Sequence, residues 1–444
     1  MIQPTLFFCK IKEHSASISC RIKLTKTKLT DMKGEVTILK EYSINKLINL
    51  PEEFIIQEKI IETQSYLYIS LPQTPHECPN CKTITSRVHD YREQKVTDIP
   101  LLMEKSILIF RKRRYLCPCC QKKFYENNPV LSRYKRQTNR LRLHVLGSFA
   151  DMKTITQIAQ EHFVSFGIAS RIMEYIRYPK PAALPRIIAI DEFRGNVGEK
   201  FQCLLVDPQH HEVLDVLPTR NSEELHAYFN QYPMKVRKKV RYIVMDLSTM
   251  FYSVMRSCFP KAKIIADKFH VVRLITWALD AVRKRVQKNF AKNRRISFKH
   301  SKRLLLKHSK KLTDEEKDRV AIMLRASDEL RLAYRLKELF YNVMESPTRQ
   351  HFKARYQWFK YEAEDMGIEE ITKHLPTFDK WIKEIERGCV IGITNGFIEG
   401  CNNRTKVLKR ISYGFRNFNR FRNRLLCIAD NTEMKKRRRR KLAS

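Results

Sequence analysis

"RIIAIDEF", residues 186–193, and "RYIVMDLS", residues 241–248, decide the fold. In each, an unbroken run of four apolar residues leads into an aspartate, Asp191 in the first and Asp246 in the second. Such a short apolar run reads as a strand covered on both faces. Around them, "KFQCLLVDPQHHEVLDVLP" (200–218) reads as two strands about a polar turn and "NSEELHAYFNQYP" (221–233) as a helix. "AKIIADKFH" (262–270) reads as a fifth strand after another helix. The order strand, strand, strand, helix, strand, helix, strand predicts an α/β fold, a mixed sheet with helical cover.

From about 271 to 390 the pattern is almost wholly helical and rich in Lys and Arg. Within it "LTDEEKDRVAIML" opens on Thr313 with Glu316 three residues later, a capping box. After "GCVIGITNG" (388–396) comes another helix, which carries Glu399. Upstream, "SYLYISL" (65–71) and "SILIFRKRRYLC" (106–117) read as strands flanking two cysteine pairs. Residues 137–177 turn helical: a first helix in 137–152, a second in "TITQIAQEHF" (154–163) and a third in "IASRIMEYI" (168–176), after a break containing Gly167. "YPKPAALP" (178–185) reads as a proline-punctuated linker.

The 444 residues suffice for two or three domains, and 86 Lys plus Arg against 47 Asp plus Glu leave a formal charge of +39. An excess spread along the whole chain repels itself when compact and points to a polyanionic partner, nucleic acid above all. No apolar run approaches the ~20 residues of a membrane span. "MIQPTLFFCKIKEH" lacks the pattern of a secretory signal, so the expectation is a cytoplasmic protein associated with the nucleoid, with no membrane partner. Cys9, Cys20, Cys203, Cys258, Cys389, Cys401 and Cys427 are scattered, as small buried hydrophobes are in a reducing compartment.

"CPNC" sets Cys78 and Cys81 two residues apart, and "CPCC" does the same for Cys117 and Cys120, with Cys119 to spare. Two such knuckles offer four thiolates to one tetrahedral Zn²⁺. The gap between them is long for a zinc finger, and a two- or three-stranded ribbon fills it. His76 and His89 lie near enough to replace a thiolate; chance pairs or a redox pair are the competing readings. The three-helix segment has the outline of a helix-turn-helix, Ile155, Ile158, Ala159, Ile168, Ile172 and Ile176 facing inward. Ser170, Arg171 and Glu174 then face outward as base or phosphate readers.

Strand-end aspartates on neighbouring strands share one sheet edge, so Asp191 and Asp246 are expected together, and Glu399 completes a trio. Three carboxylates can hold two divalent ions ~3.5–4 Å apart. Hard oxygen ligands favour Mg²⁺ or Mn²⁺. The competing reading is that strand-end aspartates cap turns and a helix glutamate faces water.

"AIDEFR", "IVMDLS", "ADKFHVVR" and "TNGFIEGCNNRTKVLKRISYGFRNFNRFRNRLL" (394–426) resemble the DDE transposases of the ISL-three insertion-sequence family, and the cysteine pairs and three-helix segment resemble that family's N-terminal modules. The likeness covers roughly residues 51–430 and is most specific in the C-terminal block. It implies a ribonuclease-H-like core interrupted by a helical insertion, with Asp191, Asp246 and Glu399 at the DDE positions. Asp267 also ends a strand and is the rival for the second position; His270 is placed near the scissile phosphate. The expected division is 1–50 unassigned, 51–132 zinc-ribbon-like, 133–180 helix-turn-helix, 181–275 first part of the core, 276–390 helical insertion, 391–430 glutamate-bearing part of the core and 431–444 a basic tail, flexible until it meets phosphate.

Asn402, Asn403, Arg404, Lys406, Lys409 and Arg410 are expected to line a phosphate track on double-stranded DNA, both element ends and target. Tyr413, Phe415, Phe418 and Phe421 alternate with arginines and suit either base stacking or a core stripe, the latter for Phe418 and Phe421. The implied function is cleavage of the element's ends and strand transfer by multimers on paired ends; no GxxxxGK[ST] motif occurs, so the energy comes from phosphodiester exchange. The alternative is a sequence-specific DNA-binding regulator whose nuclease-like core is inert.

Overall fold

The computed structural model describes residues 55–443, apart from 62–63, 102, 128–135, 196–198, 292–294, 296–297, 299–300 and 394–395. The expectations for residues 1–50, including Cys9 and Cys20, lie outside the described residues. The chain divides into two units, Met1–Ile56 and Gln57–Ser444, and the second is described below.

Strands β1 (Ile55–Ile61), β2 (Gln64–Ser70), β3 (His76–Glu77), β4 (Ile84–Thr85), β5 (Val88–Thr97), β6 (Ser106–Leu116) and β7 (Lys123–Tyr125) come first. β6 lies parallel to β2 and antiparallel to both β5 and β7. β5 and β6 thus fill the long gap between the cysteine pairs, and Leu67, Ile69, Val96, Leu108 and Phe110 are buried on one face of the sheet.

Three short helices follow: α1 (Asn139–Ser148), α2 (Ile155–Glu161) and α3 (Phe166–Met173). Thr138, Thr154 and Ser165 cap their first turns, Thr154 in a reciprocal box with Gln157. Leu141, Val145, Phe149, Ile158, Ala169 and Ile172 make their common core. Gly167, expected in the turn, lies inside α3, because Ser165 supplies the cap one residue earlier.

The central sheet uses β8 (Ile187–Arg194), β9 (Phe201–Asp207), β10 (Glu212–Leu217), β11 (Tyr242–Met245) and β12 (Lys263–Ala266), ordered β10-β9-β8-β11-β12. The first three are mutually antiparallel; β8, β11 and β12 are parallel. Helices α4 (Ser222–Asn230) and α5 (Met234–Arg237) precede β11, and α6 (Thr249–Cys258) precedes β12. α7 (Lys268–Lys288) leads into a helical stretch: α8 (Ser301–Leu306), α9 (Asp314–Arg325), α10 (Asp328–Met344), α11 (Arg349–Met366), α12 (Glu369–Thr372), α13 (Leu375–Lys380) and α14 (Ile382–Ile391). The Thr313–Glu316 box caps α9 as expected.

The sheet is covered on both faces, and alternate residues take opposite sides. Ile188, Ile190, Ile243, Met245 and Ile264 join the core with α4, α6 and α7. Ala189, Phe193, Val244 and Ile265 pack instead against Ile398, Cys401 and Leu408 of α15 (Gly396–Ile411) and Phe421, Leu425 and Ile428 of α16 (Phe418–Ala443). Phe421 is therefore core, Phe415 and Phe418 pack partly against it, and Tyr413 alone of these aromatics is fully exposed. α16 continues as helix through the basic run expected as a flexible tail, whose Lys, Arg, Leu and Ala are good helix formers.

α16 grips both neighbouring modules. Arg422 Nε donates to Asp215 Oδ1 of β10 (2.6 Å), and Arg422 Nη1 to the Tyr178 carbonyl (2.8 Å). Two residues on, buried Arg424 donates to the carbonyls of Phe149, Asp151 (2.9 Å) and Lys153 (2.7 Å), in the connection between α1 and α2.

Candidate active site and metal centre

Ala189, Val244 and Ile265 stand side by side: Val244 pairs with Ala189 of β8 and with Ile265 of β12. Two residues beyond each, on the same face by the pleat, come Asp191, Asp246 and Asp267. The sheet therefore presents a row of three aspartates along one end. Asp191 does not end its strand: β8 runs on to Arg194 because its antiparallel partner β9 continues, through Arg194 against Phe201. What stops beside Asp191 is the parallel partner β11, at Met245. Asp246 follows a strand end as expected, and Asp267 caps α7, its Oδ1 accepting from the Phe269 N–H at 3.1 Å.

The face that carries these aspartates is the one covered by α15, and this brings in residues some 200 positions away. Asp191, Asp246, Asp267, His270 and Glu399 all line one cleft of about 700 Å³, with Glu399 exposed on its α15 side. Glu192 and Arg273 line it too and were not singled out in the sequence; their signals are adjacency to Asp191 and helical spacing from His270.

Asp191 is held at both oxygens: Oδ1 accepts the Glu192 N–H at 2.9 Å, and Oδ2 accepts Asn402 Nδ2–H at 2.7 Å. Burial first, then the neighbouring charges of Asp267 and Asp246, pushes Asp191 up to about 7. Burial, with Glu192 as the largest neighbouring charge, pushes Asp246 up to about 6. Arg273 Nη2 donates to His270 Nδ1 at 2.8 Å, so the neutral ring carries its proton on Nε2, which faces Asp267 Oδ2 (3.6 Å) and Asp191 Oδ1 (3.9 Å).

Asp246 Oδ1 and Asn402 Oδ1 are buried acceptors without a hydrogen-bond partner. Asp191, Glu192, Asp246, Asp267 and Glu399 line the cleft beside these two unpaired oxygens, a set of hard oxygen donors that fits a cation of the Mg²⁺ or Mn²⁺ type. Three carboxylates nowhere converge within 4.8 Å among the described residues, whereas the cysteines do.

Asn402, expected as a phosphate contact, is buried and its amide is committed to Asp191, since it lies one turn past Glu399 on the covered face of α15. Arg404 and Lys409 are half-buried, Arg404 against Cys401 Sγ (3.6 Å) and Lys409 on the Arg194 carbonyl. Asn403, Lys406 and Arg410 are exposed, as are Arg171 and Glu174 on the three-helix segment, where Ser170 is half-buried and Glu174 pairs with Arg420.

The cysteine cluster is tighter. The Sγ atoms of Cys78, Cys81, Cys117 and Cys120 all lie within 4.8 Å of one another, and the Cys81–Cys117, Cys81–Cys120 and Cys78–Cys120 separations are 3.4, 3.4 and 3.5 Å. Both knuckles share one backbone design: Cys78 and Cys117 accept from the N–H four residues on, at Lys82 and Gln121, each with positive φ (65° and 55°). Hydrogen bonding with Thr83, then with Cys117 and Cys120, pulls the Cys81 thiol down to about 6. This set fits tetrahedral Zn²⁺. His76 instead stacks on Tyr115 at 4.7 Å, and His89 is exposed. Of the scattered cysteines, Cys203, Cys258 and Cys401 are buried, and Cys389 and Cys427 partly so.

A four-cysteine knuckle pair thus precedes a mixed sheet whose edge collects acids, and known transposases match both parts. A family profile described as "Transposase" matches residues 188–425, and one described as "zinc-finger of transposase IS204/IS1001/IS1096/IS1165" matches residues 74–120. The chain belongs to the ISL3 family of DDE transposases, the transposases of insertion sequences. It is 26% identical over 351 residues to the transposase for insertion sequence element IS1001 of Bordetella parapertussis, covering 76% of this chain and 85% of that one. It is 23% identical over 254 residues to the transposase for insertion sequence element IS1557 of Mycobacterium tuberculosis, strains CDC 1551 / Oshkosh and H37Rv, covering 52% and 57%. Among the described residues, no helix is long and apolar enough to cross a membrane.

Proposed function

We propose that this transposase binds the terminal inverted repeats of its element, cuts the DNA there and joins the freed 3′ hydroxyl to target DNA, working as a multimer on paired ends. The observation that carries this reading is the meeting of Asp191, Asp246 and Glu399 in one cleft from strands and a helix far apart in sequence. The strand order, three antiparallel strands continued by two parallel ones, supports a ribonuclease-H-like core. The capped trio α1–α3 supports a helix-turn-helix with Arg171 and Ser170 toward DNA.

Asp191, Asp246 and Glu399 would hold Mg²⁺ or Mn²⁺, which when bound activates an attacking oxygen and stabilises the leaving one. Asp246 is favoured over Asp267 because its Oδ1 is unpartnered while an Asp267 oxygen is occupied as a helix cap. The chain's own residues orient the acids: the Glu192 N–H and Asn402 amide hold Asp191, and Arg273 aims the His270 Nε2–H at the aspartates. Asn403 and Lys406 at the cleft, with Arg410 beyond it, meet backbone phosphate, while the zinc ribbon and α3 engage the ends.

The test is Asp191→Asn on a duplex carrying the element's end. Mg²⁺-dependent cutting should fall about a thousandfold, ~4 kcal/mol of transition-state stabilisation, while end binding stays within about twofold. Cutting at the original rate would remove Asp191 from the mechanism.

A further inference from the structure

Asn402 lies three residues after Glu399, on the same side of α15, and is only 7% exposed. Its Nδ2 donates to Asp191 Oδ2 at 2.7 Å, while its Oδ1 is buried with no partner. With Asp191 ionised, as a cation ligand is, the amide's orientation is dictated: turned over, it would set a carbonyl oxygen against a carboxylate oxygen and leave the N–H groups unused. An amide needed only to steady Asp191 would still leave a buried carbonyl unpaid, a cost of about 1–3 kcal/mol. The same cleft holds a second orphan acceptor, Asp246 Oδ1, on the neighbouring strand. Two unsatisfied oxygens beside a row of aspartates share one remedy, a hard cation or the water it carries.

We propose that Asn402 is a further member of the cation site: its amide N–H positions Asp191, and its Oδ1 is a neutral oxygen ligand, direct or through one water, for the divalent ion that Asp191 binds. This rests on the carboxylate reading above and adds to it a residue outside the acidic trio. The neutral amide supplies an oxygen without a further repelling charge, which suits a cleft already lined by Asp191, Asp246, Asp267 and Glu399.

The experiment is Mn²⁺ titration of the full-length, zinc-loaded protein without DNA, followed by electron paramagnetic resonance, with thermal unfolding in chelator as a parallel measurement. Asn402→Leu, of similar size and without polar atoms, should weaken Mn²⁺ binding about 10- to 100-fold. Asn402→Gln, which keeps a neutral amide with both its N–H and its oxygen, should return Mn²⁺ binding to within about fivefold of the original. A purely structural Asn402 gives another pattern: Asn402→Leu lowers the unfolding temperature in chelator but leaves Mn²⁺ affinity unchanged, which overturns the inference. If Asn402→Leu does not fold, Asn402→Ala takes its place with the same expectations. Asp191→Asn separates the two levels. If it abolishes Mn²⁺ binding and Asn402→Leu does not weaken it, only the present inference fails; if Asp191→Asn leaves Mn²⁺ binding intact, or the unmodified protein binds none, the carboxylate reading fails with it.

Discussion

The two clusters of ligands in this molecule are assembled in opposite ways. The cysteines come as local pairs, each pre-shaped by a turn whose backbone closes on itself, and antiparallel pairing of β5 with β6 brings one knuckle to the other. Their sulfurs already stand 3.4–3.5 Å apart. The acids come singly, from two strands and a helix spread over more than two hundred residues, and share a cleft without converging. Protonated thiols tolerate one another, whereas carboxylates crowded in low dielectric either repel or take up protons. A thiol site can therefore draw its ligands together by itself, while a carboxylate site shows itself by raised protonation and orphan acceptors.

This contrast can be broken in three ways. The largest effect should come from Cys120→Ser. Zinc content should fall from about one atom per chain to near zero, a loss in the range of ~10 kcal/mol of folding energy for that segment, with β5 and β6 losing hydrogen-exchange protection. Mn²⁺ binding at the cleft should persist; its loss would mean that the two sites fold as one. The middle effect concerns pH. Asp191 and Asp246, raised to about 7 and 6, stay protonated in the folded protein where the unfolded chain, with carboxyls near roughly 4, has already ionised. At these two sites the folded protein then binds more protons than the unfolded chain, so their contribution to metal-free stability should fall as pH rises from about 4 to 7 and level off above, by up to ~4 kcal/mol from Asp191. Chemical denaturation in chelator across that window measures it, and Asp191→Asn should flatten most of the slope. A pH profile of stability that Asp191→Asn leaves unchanged would contradict the crowding argument. The smallest effect should come from Cys119→Ser: Cys119 is exposed and outside the sulfur cluster, so zinc content should hold and stability change by less than about 0.5 kcal/mol. Zinc lost here but kept in Cys120→Ser would exchange the two cysteines' roles.

What could be read from sequence follows the same division. The cysteines were legible because their spacing is itself the geometry. The five strands and their order were legible because runs such as Ile187–Ile190 and Tyr242–Met245 are apolar on both faces. Asp191's place in mid-strand was not, since where a strand stops depends on each partner separately, and β9 outlasts β11 beside it. Asn402 was misread because an asparagine among cations looks like a phosphate contact, and only the facing of α15 against Ala189 and Val244 shows that its side chain turns inward. Gly167 looked like a turn residue, yet the hydroxyl of Ser165 had already begun the helix.

The prolines of 178–185 read as a linker, but Arg422 and Arg424 bridge across it, one clasping the sheet edge and the other the chain just past α1. The spacing between α3 and the acids is thus set by a strut instead of a tether. On the proposed reading, in which α3 seats a duplex and Asp191 serves the cut, that strut would hold the distance between the two constant, and a cut in the chain ahead of Phe418 would release it.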